Sequence, residues 1–332
     1  MTDDSVPMGQ FADSLRIFAG SSHPELAQEI AAYLNTRVSE IHTERFSNDN
    51  LMVQLGESVR GKDVVIIQSF TPNVSEHLLE LLMMIDAARS ASARTIHAVI
   101  PYYSYARSDK KDAPRISIAG RLIADLLGHA GADHVMTMTL HSPQVHGFFP
   151  VPTDHLTADE VFVDYFHTLD LSNAIVVSPD IGHAKRASRL AKSLGIGVAA
   201  GDKERQSDDS VAISTIIGDV DGRDAIVFDD EIATGGSVCE LVNLLEARGV
   251  GRIILACTHG VFSGPAIARL AAMDKVYEIV TTNTVPIPSY KRLPNMRVLS
   301  VGHIFGRAIN CNLMGQSISS LFAFWSEKWI GH

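Results

Sequence analysis

The sequence predicts an α/β protein built from mainly parallel sheets flanked by helices, with two such domains in tandem. Three observations predict it. Short β-rich runs alternate with amphipathic stretches along the chain, the pattern that places helices on both faces of parallel sheets. The length of 332 residues exceeds what one hydrophobic core usually spans. Residues 126–141 (LLGHAGADHVMTMTLH) align without a gap to 244–259 (LLEARGVGRIILACTH). Both stretches read helix, glycine turn, strand and histidine, as a duplicated unit would.

The elements follow in order. LRIFA at 15–19 reads as a strand, and Ser22-His23-Pro24-Glu25 fits a capping box with proline in the first turn, opening a helix at 25–34. Strand 64–68 precedes an amphipathic helix at 74–91, strand 95–100 precedes helix 118–129, and strand 134–140 follows. Pro150, Pro152 and Thr153 mark a boundary near residue 155. Strand 174–178 then leads to helix 184–194, and strand 225–228 to helix 238–248. Strands 252–257 and 298–301 complete the set, while the polar stretch at 201–210, GDKERQSDDS, reads as a surface loop.

Composition narrows the function. Hydrophobic residues make up 46% and charged residues 20%, a folded globular profile rather than a disordered or fibrous one. The net charge of −10 argues against a general nucleic-acid binder. It leaves room for phosphorylated substrates, which a local basic cluster can hold. The longest apolar stretch, 78–85, is too short to span a bilayer. Three cysteines (Cys239, Cys257, Cys311), none in a CxxC pair, and a start without basic or apolar signal regions lead to the expectation of a cytoplasmic protein.

The most informative segment is AIVFDDEIATGGSV at 225–238, where an apolar run ends in Asp229 and Asp230 and Thr234-Gly235-Gly236-Ser237 opens a helix. Glycines let backbone N–H groups turn inward without a Cβ in the way. The helix start adds unsatisfied donors and the positive dipole end. With the Thr234 and Ser237 hydroxyls, the segment forms an anion cradle sized for a phosphate monoester. Two carboxylates would repel that phosphate, so they are expected to face sugar hydroxyls or a bound metal.

An apolar strand followed by DDxxxTGG[ST] resembles the phosphoribosyl-diphosphate (PRPP) loop of the type I phosphoribosyltransferase-like fold. ERFSNDN, GESVRGKDVVIIQS, VIPYYSYARSDKK, LHSPQVHGFF, VVSPDIGHAKRA, GDKER and RVLSVGHIFGRAI, spread over about 15–322, narrow the resemblance to the ribose-phosphate pyrophosphokinase (PRPP synthetase) family. The resemblance implies two tandem domains of that fold. Residues 13–154 would carry the ATP site, completed by the C-terminal segment 303–322, and 155–302 would carry the ribose 5-phosphate loop. It implies transfer of diphosphate from ATP to ribose 5-phosphate with Mg²⁺, in a homo-oligomer, a hexamer built from dimers, without nucleic-acid or membrane partners.

The resemblance also implies residue roles. Lys203 and Arg205 would stabilise the transition state, and Phe46, Asn48, Arg107 and His141 would bind ATP. Asp229, Asp230, Ala233, Thr234, Gly235, Gly236 and Ser237 would bind ribose 5-phosphate, with His141 and Asp180 at the metal. Lys185 and Arg186 could be phosphate contacts or a solvated helix face, and the latter is the preferred reading. The chain departs from the family pattern at Asn50, Ser108, Thr139 and Ala233, where the family often has an acid, Gln, Asp and Asp. Two other functions share parts of the pattern. A phosphoribosyltransferase needs one such domain and no ATP segment, and a non-catalytic regulatory relative would lose loop residues that this chain retains.

Overall fold

The computed structural model describes the backbone of residues 10–11, 13–207 and 210–321, and the side chains of the same residues except 203–207, 210–214 and 320. The chain forms two compact units, one of residues 1–157, 284–286 and 300–332, the other of 158–283 and 287–299. No helix among the described residues is long and apolar enough to cross a membrane.

The first unit runs β1 (Leu15–Ala19), α1 (Pro24–Tyr33), β2 (Val38–Ser39), β3 (Ile41–Arg45), β4 (Leu51–Leu55), β5 (Asp63–Ile67), α2 (Val74–Ser90), β6 (Thr95–Ile100), α3 (Ala119–Ala130), β7 (His134–Met138) and β8 (Thr153–Leu156). Its six-stranded sheet has the order β2-β1-β5-β6-β7-β8, parallel throughout, and β3–β4 form a separate antiparallel hairpin. The DVVII run of β5 is buried at every position, as a strand covered on both faces requires.

The second unit runs α4 (Asp159–Phe166), β9 (Ala174–Ser178), α5 (Ala184–Leu194), β10 (Gly197–Ser207), β11 (Ser210–Ile217), β12 (Asp224–Ile232), α6 (Gly236–Ala247), β13 (Ile253–Gly260), α7 (Ala266–Ala271), β14 (Val276–Thr282) and β15 (Met296–Leu299). The sheet order is β11-β10-β9-β12-β13-β14-β15, parallel except for β10–β11. Helix α8 (Gly302–Leu313) returns to the first unit and packs on α1.

The two sheets share a plan, with β1-β5-β6-β7 standing in the order of β9-β12-β13-β14. This corrects the sequence alignment. By sheet position α6–β13 matches α2–β6, so the echo of 126–141 in 244–259 pairs neighbouring, non-equivalent units. Helix–glycine–strand joints look alike wherever they occur.

Three local expectations change. The N-cap of α1 is His23, whose Nδ1 accepts from Leu26 N at 3.4 Å with Pro24 as the first helical residue. Ser22 Oγ accepts instead from Ser69 N at 2.8 Å. Residues 201–207 and 210 are strand backbone rather than loop, because β10 finds an antiparallel ladder with β11 from Ala200↔Ile217 to Ser207↔Ser210. The strand expected at 298–301 ends at Leu299, which pairs with Thr282, before Val301 caps α8.

Candidate active site

The apolar residues of β12 run between β9 and β13, and the strand continues past β9 to present Asp229 and Asp230. Asp230 is buried and Asp229 half-buried, and Asp230 N donates to Asp229 Oδ1 at 2.8 Å. Burial, then the charge of Asp230, holds the Asp229 carboxyl well above the usual carboxylate range. Like charges placed side by side out of water call for a cation or for donor groups.

The turn after β12 is held from outside. Ser263 N donates to Ala233 O at 2.9 Å, and Arg269 Nη1 donates to Thr234 O at 2.9 Å. Gly235 is buried at φ +74, a left-handed conformation that favours glycine, and it is the N-cap of α6. Gly235 has no side chain with which to cap α6. The first turn of a helix that opens on glycine offers its N–H donors to a ligand anion. Gly236 leaves open the space beside Arg269, where a Cβ would come 3.7 Å from Nη1. Thr234 and Ser237 are exposed at the mouth. The structure thus brings together all seven residues expected at the sugar phosphate, and adds a guanidinium that the sequence reading did not include.

Asp180 lies beyond the end of β9 in the same unit. Its Oδ1 accepts from His183 N at 2.9 Å and lies 2.9 Å from His183 Nδ1. His183 Nε2 faces Asp230 Oδ1 at 3.7 Å. The hydrogen bond that the ring donates to Asp180, reinforced by the charges of Asp230 and Asp229, raises His183 to about 9. Asp180 and Asp230 are therefore linked through a histidine that the sequence reading passed over. The signal for it is the spacing, a histidine three residues after a strand-end aspartate at a helix start.

In the first unit Arg107 ends a 3₁₀ turn (Ser104–Arg107) after β6 and is exposed. His141 is half-buried beyond β7, just before a second 3₁₀ turn (Pro143–Phe148). Gln144 bonds to Asp109, tying these two segments together. Phe46 and Asn48 sit at the tip of the β3–β4 hairpin, with Phe46 47% exposed. A ring so exposed is available to something outside its own unit. The backbone of Lys203 and Arg205 lies in β10, and their side chains fall outside the described residues. Lys185 is exposed as expected, whereas Arg186 is not a solvated residue. Arg186 donates to Thr258 Oγ1 at 2.6 Å, pairs with Asp159 at 3.4 Å and lies 4.7 Å over the Phe228 ring. Its long stem reaches back over the sheet, so it packs rather than hydrates.

The N-terminal domain of ribose phosphate pyrophosphokinase matches residues 15–131, and the phosphoribosyl synthetase-associated domain matches 210–323. A ribose-phosphate pyrophosphokinase of Deinococcus radiodurans is 51% identical over 313 residues, covering 93% of this chain and 98% of the relative. The chain belongs to the ribose-phosphate pyrophosphokinase family. Another member, from Synechococcus elongatus, is 44% identical over 93% of each chain. The crystal structure of phosphoribosylpyrophosphate synthetase from Mycobacterium smegmatis superposes with a TM-score of 0.86 at 40% identity, covering 91% of this chain and 99% of that one.

The departures from the family pattern have local accounts. Ser108 Oγ accepts from Ala119 N at 3.1 Å and donates to Ser117 O at 3.2 Å, so its hydroxyl holds the start of α3. Gly120 permits that approach, since a Cβ there would come 2.9 Å from Tyr105 O and 3.0 Å from Ser108 O. Asn50 closes the hairpin turn by accepting from Phe46 N at 2.9 Å through its backbone. Ala233 likewise serves through its carbonyl. Thr139 is buried at φ 44, which is strained for a β-branched residue.

Proposed function

We propose that the chain transfers the β,γ-diphosphate of ATP to the 1-hydroxyl of ribose 5-phosphate, giving PRPP and AMP, as a ribose-phosphate diphosphokinase. One observation carries the reading. A single strand–turn–helix places a helix start, opened by Gly235 at φ +74, beside two adjacent carboxylates. Few ligands other than a phosphorylated sugar match an anion cradle and acids at that spacing.

In this reading the N–H groups of Gly235, Gly236 and Ser237 and the hydroxyls of Thr234 and Ser237 hold the 5-phosphate. Ala233 shapes the turn, and Arg269 adds positive charge at its rim. Asp229 and Asp230 face the ring hydroxyls and fix the sugar, so that the 1-hydroxyl meets the β-phosphorus in line. Arg107 and His141 bind the ATP phosphates. Phe46 and Asn48 serve the nucleotide of a neighbouring copy, which requires a homo-oligomer, and the family resemblance implies a hexamer built from dimers. Lys203 and Arg205 stabilise the charge that develops on the transferring group. The first unit is then the nucleotide domain, completed by 303–322, and the second the sugar-phosphate domain. The substrates, and three cysteines (Cys239, Cys257 and Cys311) that form no disulfide among the described residues, suit a cytoplasmic setting.

The acids fit Mg²⁺. Asp229, destabilised by burial and by its charged neighbour, sits where a cation relieves the repulsion, and carboxylate oxygens are the donors Mg²⁺ prefers. Asp180, Asp229 and Asp230 would hold it, and when bound it would neutralise phosphate charge.

A coupled AMP-release assay with ATP, Mg²⁺ and ribose 5-phosphate tests the reading. AMP and PRPP formed in equal amounts are expected. Consumption of PRPP with a base identifies a phosphoribosyltransferase instead, and no turnover identifies a non-catalytic relative. Lys203→Ala should keep ribose 5-phosphate binding and lose roughly a hundredfold or more in turnover. Near-normal turnover in that variant contradicts the assignment.

A further inference from the structure

Thr139 sits where β7 stops, buried and with a left-handed backbone at φ 44. A β-branched residue keeps such a conformation only where its surroundings over-determine it. Here the N–H groups on both sides of the Thr139 Cα are pinned to β8. Thr139 N donates to Leu156 O at 2.9 Å, just past the last ladder pair of Met138 and Leu156. The N–H that follows, on Leu140, has left the ladder and donates to a side chain, His155 Nε2, at 2.8 Å. The next residue is His141.

We infer that His155 is a positioning residue of the nucleotide site, whose ring, accepting from Leu140 N, holds the left-handed turn that carries His141. The inference deepens the function proposed above and rests on it for the role of His141 toward ATP. A backbone N–H only donates, so Nε2 is the acceptor, and Nδ1 carries the single proton of a neutral ring. The far end of the same segment is tied by the opposite role. Thr153 O only accepts, so His146 Nε2, 2.8 Å away, donates to it. One strand, β8, therefore grips the segment on both sides of His141.

The acceptor matters more than the volume of the ring. Leu140 is 5% exposed and belongs to the core cluster of the first unit with Val145 and Phe149, so water does not freely replace a lost partner of its N–H. Without that partner the strain at Thr139 is held from one side only, and the backbone leading into His141 gains freedom. Binding that needs a fixed ring then weakens, while the sugar-phosphate cradle of the other unit is untouched. A packing role would be met by any ring of similar size, and an acceptor role by any side chain that brings a lone pair to the place of Nε2.

Amide hydrogen exchange resolved to single residues, together with calorimetry of ATP and Mg²⁺ binding without ribose 5-phosphate, tests this on the full chain. In the unaltered protein the Leu140 amide should exchange about a hundredfold or more slowly than in an unfolded chain. No protection there overturns the inference without recourse to a variant. His155→Phe keeps a ring and removes the acceptor. Leu140 exchange should then rise about tenfold or more and ATP affinity fall about tenfold, with ribose 5-phosphate affinity within about twofold of the parent. His155→Gln, whose amide oxygen accepts, should recover most of both losses. Unchanged exchange and affinity in His155→Phe, or no recovery in His155→Gln, assign the ring to packing and overturn the inference. His141→Ala separates the inference from the function it rests on. In that background His155→Phe should cost ATP affinity no more than about twofold further, and an undiminished cost overturns the inference. Unchanged ATP affinity in His141→Ala itself, with Leu140 exchange still set by His155, sinks the proposed role of His141 and leaves the hold on the turn standing.

Discussion

Counted back from the helix N-caps, Gly20 and Asp180 each stand three residues before a histidine, and Gln68 and Asp230 each stand five before Asn73 and Gly235. Asn73 and Gly235 share the same left-handed backbone, φ 71 and φ 74. One scaffold is therefore built twice, and only the side chains at its strand ends differ. In the first unit the slots close on themselves. Gln68 Oε1 accepts from Ser22 N at 3.0 Å, and its Nε2 donates to Glu80 Oε2 at 2.5 Å. A Cβ on Gly20 would run into that side chain. Glu80 is 2% exposed and also accepts from Ser21 Oγ at 2.5 Å, while buried Phe70 fills the turn before α2. In the second unit the same slots hold Asp180 and Asp230, with Asp229 beside them. Satisfied groups make a strand end a structural joint, and crowded charges make it a site.

The comparison predicts a double dissociation. The largest effect is expected for Asp230→Asn, with kcat/KM down about a hundredfold. Thermal stability near neutral pH should rise in the same variant, because the raised Asp229 carboxyl loses the charge that disfavours its ionised form. Steady-state kinetics and a melting curve check both halves, and a loss of stability would break the contrast. Glu80→Ala should do the reverse. It leaves the buried Gln68 amide and the Ser21 donors without their acceptor, and urea unfolding should show about 2 kcal/mol lost. Its kcat/KM should stay within about twofold of the parent chain's, for a residue outside the sugar-phosphate unit.

Smaller effects sharpen the comparison. Asn73 tolerates the left-handed cap, so Gly235→Asn should fold with less than about 1 kcal/mol lost. Its side chain would crowd the cradle and raise KM for ribose 5-phosphate about tenfold, or about 1.4 kcal/mol. The smallest effect is in pH dependence, where the units should differ in sign. In the first unit, burial and the neighbouring His134 push His97 down to about 4, with Asp63, Asp133 and Asp154 opposing. The unfolded chain takes up that proton near 6.5 and the folded chain does not, so stability falls as pH falls. The loss should be about 1 kcal/mol between pH 7 and pH 5.5, and His97→Asn should flatten it. In the second unit His183 is raised to about 9, so its contribution is full below about 6.5 and disappears as pH rises through 9. Denaturant titrations across pH check both limbs.

Much of this was legible in the sequence, for identifiable reasons. The cradle could be read because a left-handed cap and an open approach favour glycine, and because Asp229 and Asp230 are adjacent in the chain. The alternation of β5, α2, β6 and α3 could be read because buried parallel strands are continuous apolar runs. The hairpin of β10 and β11 could not, because an edge ladder tolerates polar residues such as those of GDKERQS. Arg186 was misleading because a charged residue on a helix looks solvated until the partner from another element, here Thr258, is in place. His183 was missed because its meaning depends on Asp230, which the fold and not the chain brings alongside.

The central claim is that the turn from β12 into α6 grips the phosphate of a pentose phosphate while its acids face the ring. A crystal structure with ribose 5-phosphate bound tests it most directly. The phosphate should accept from the N–H groups of Gly235, Gly236 and Ser237, with the ring hydroxyls on the side of Asp229 and Asp230. A phosphate bound elsewhere, or an empty cradle at saturating sugar phosphate, would contradict the account.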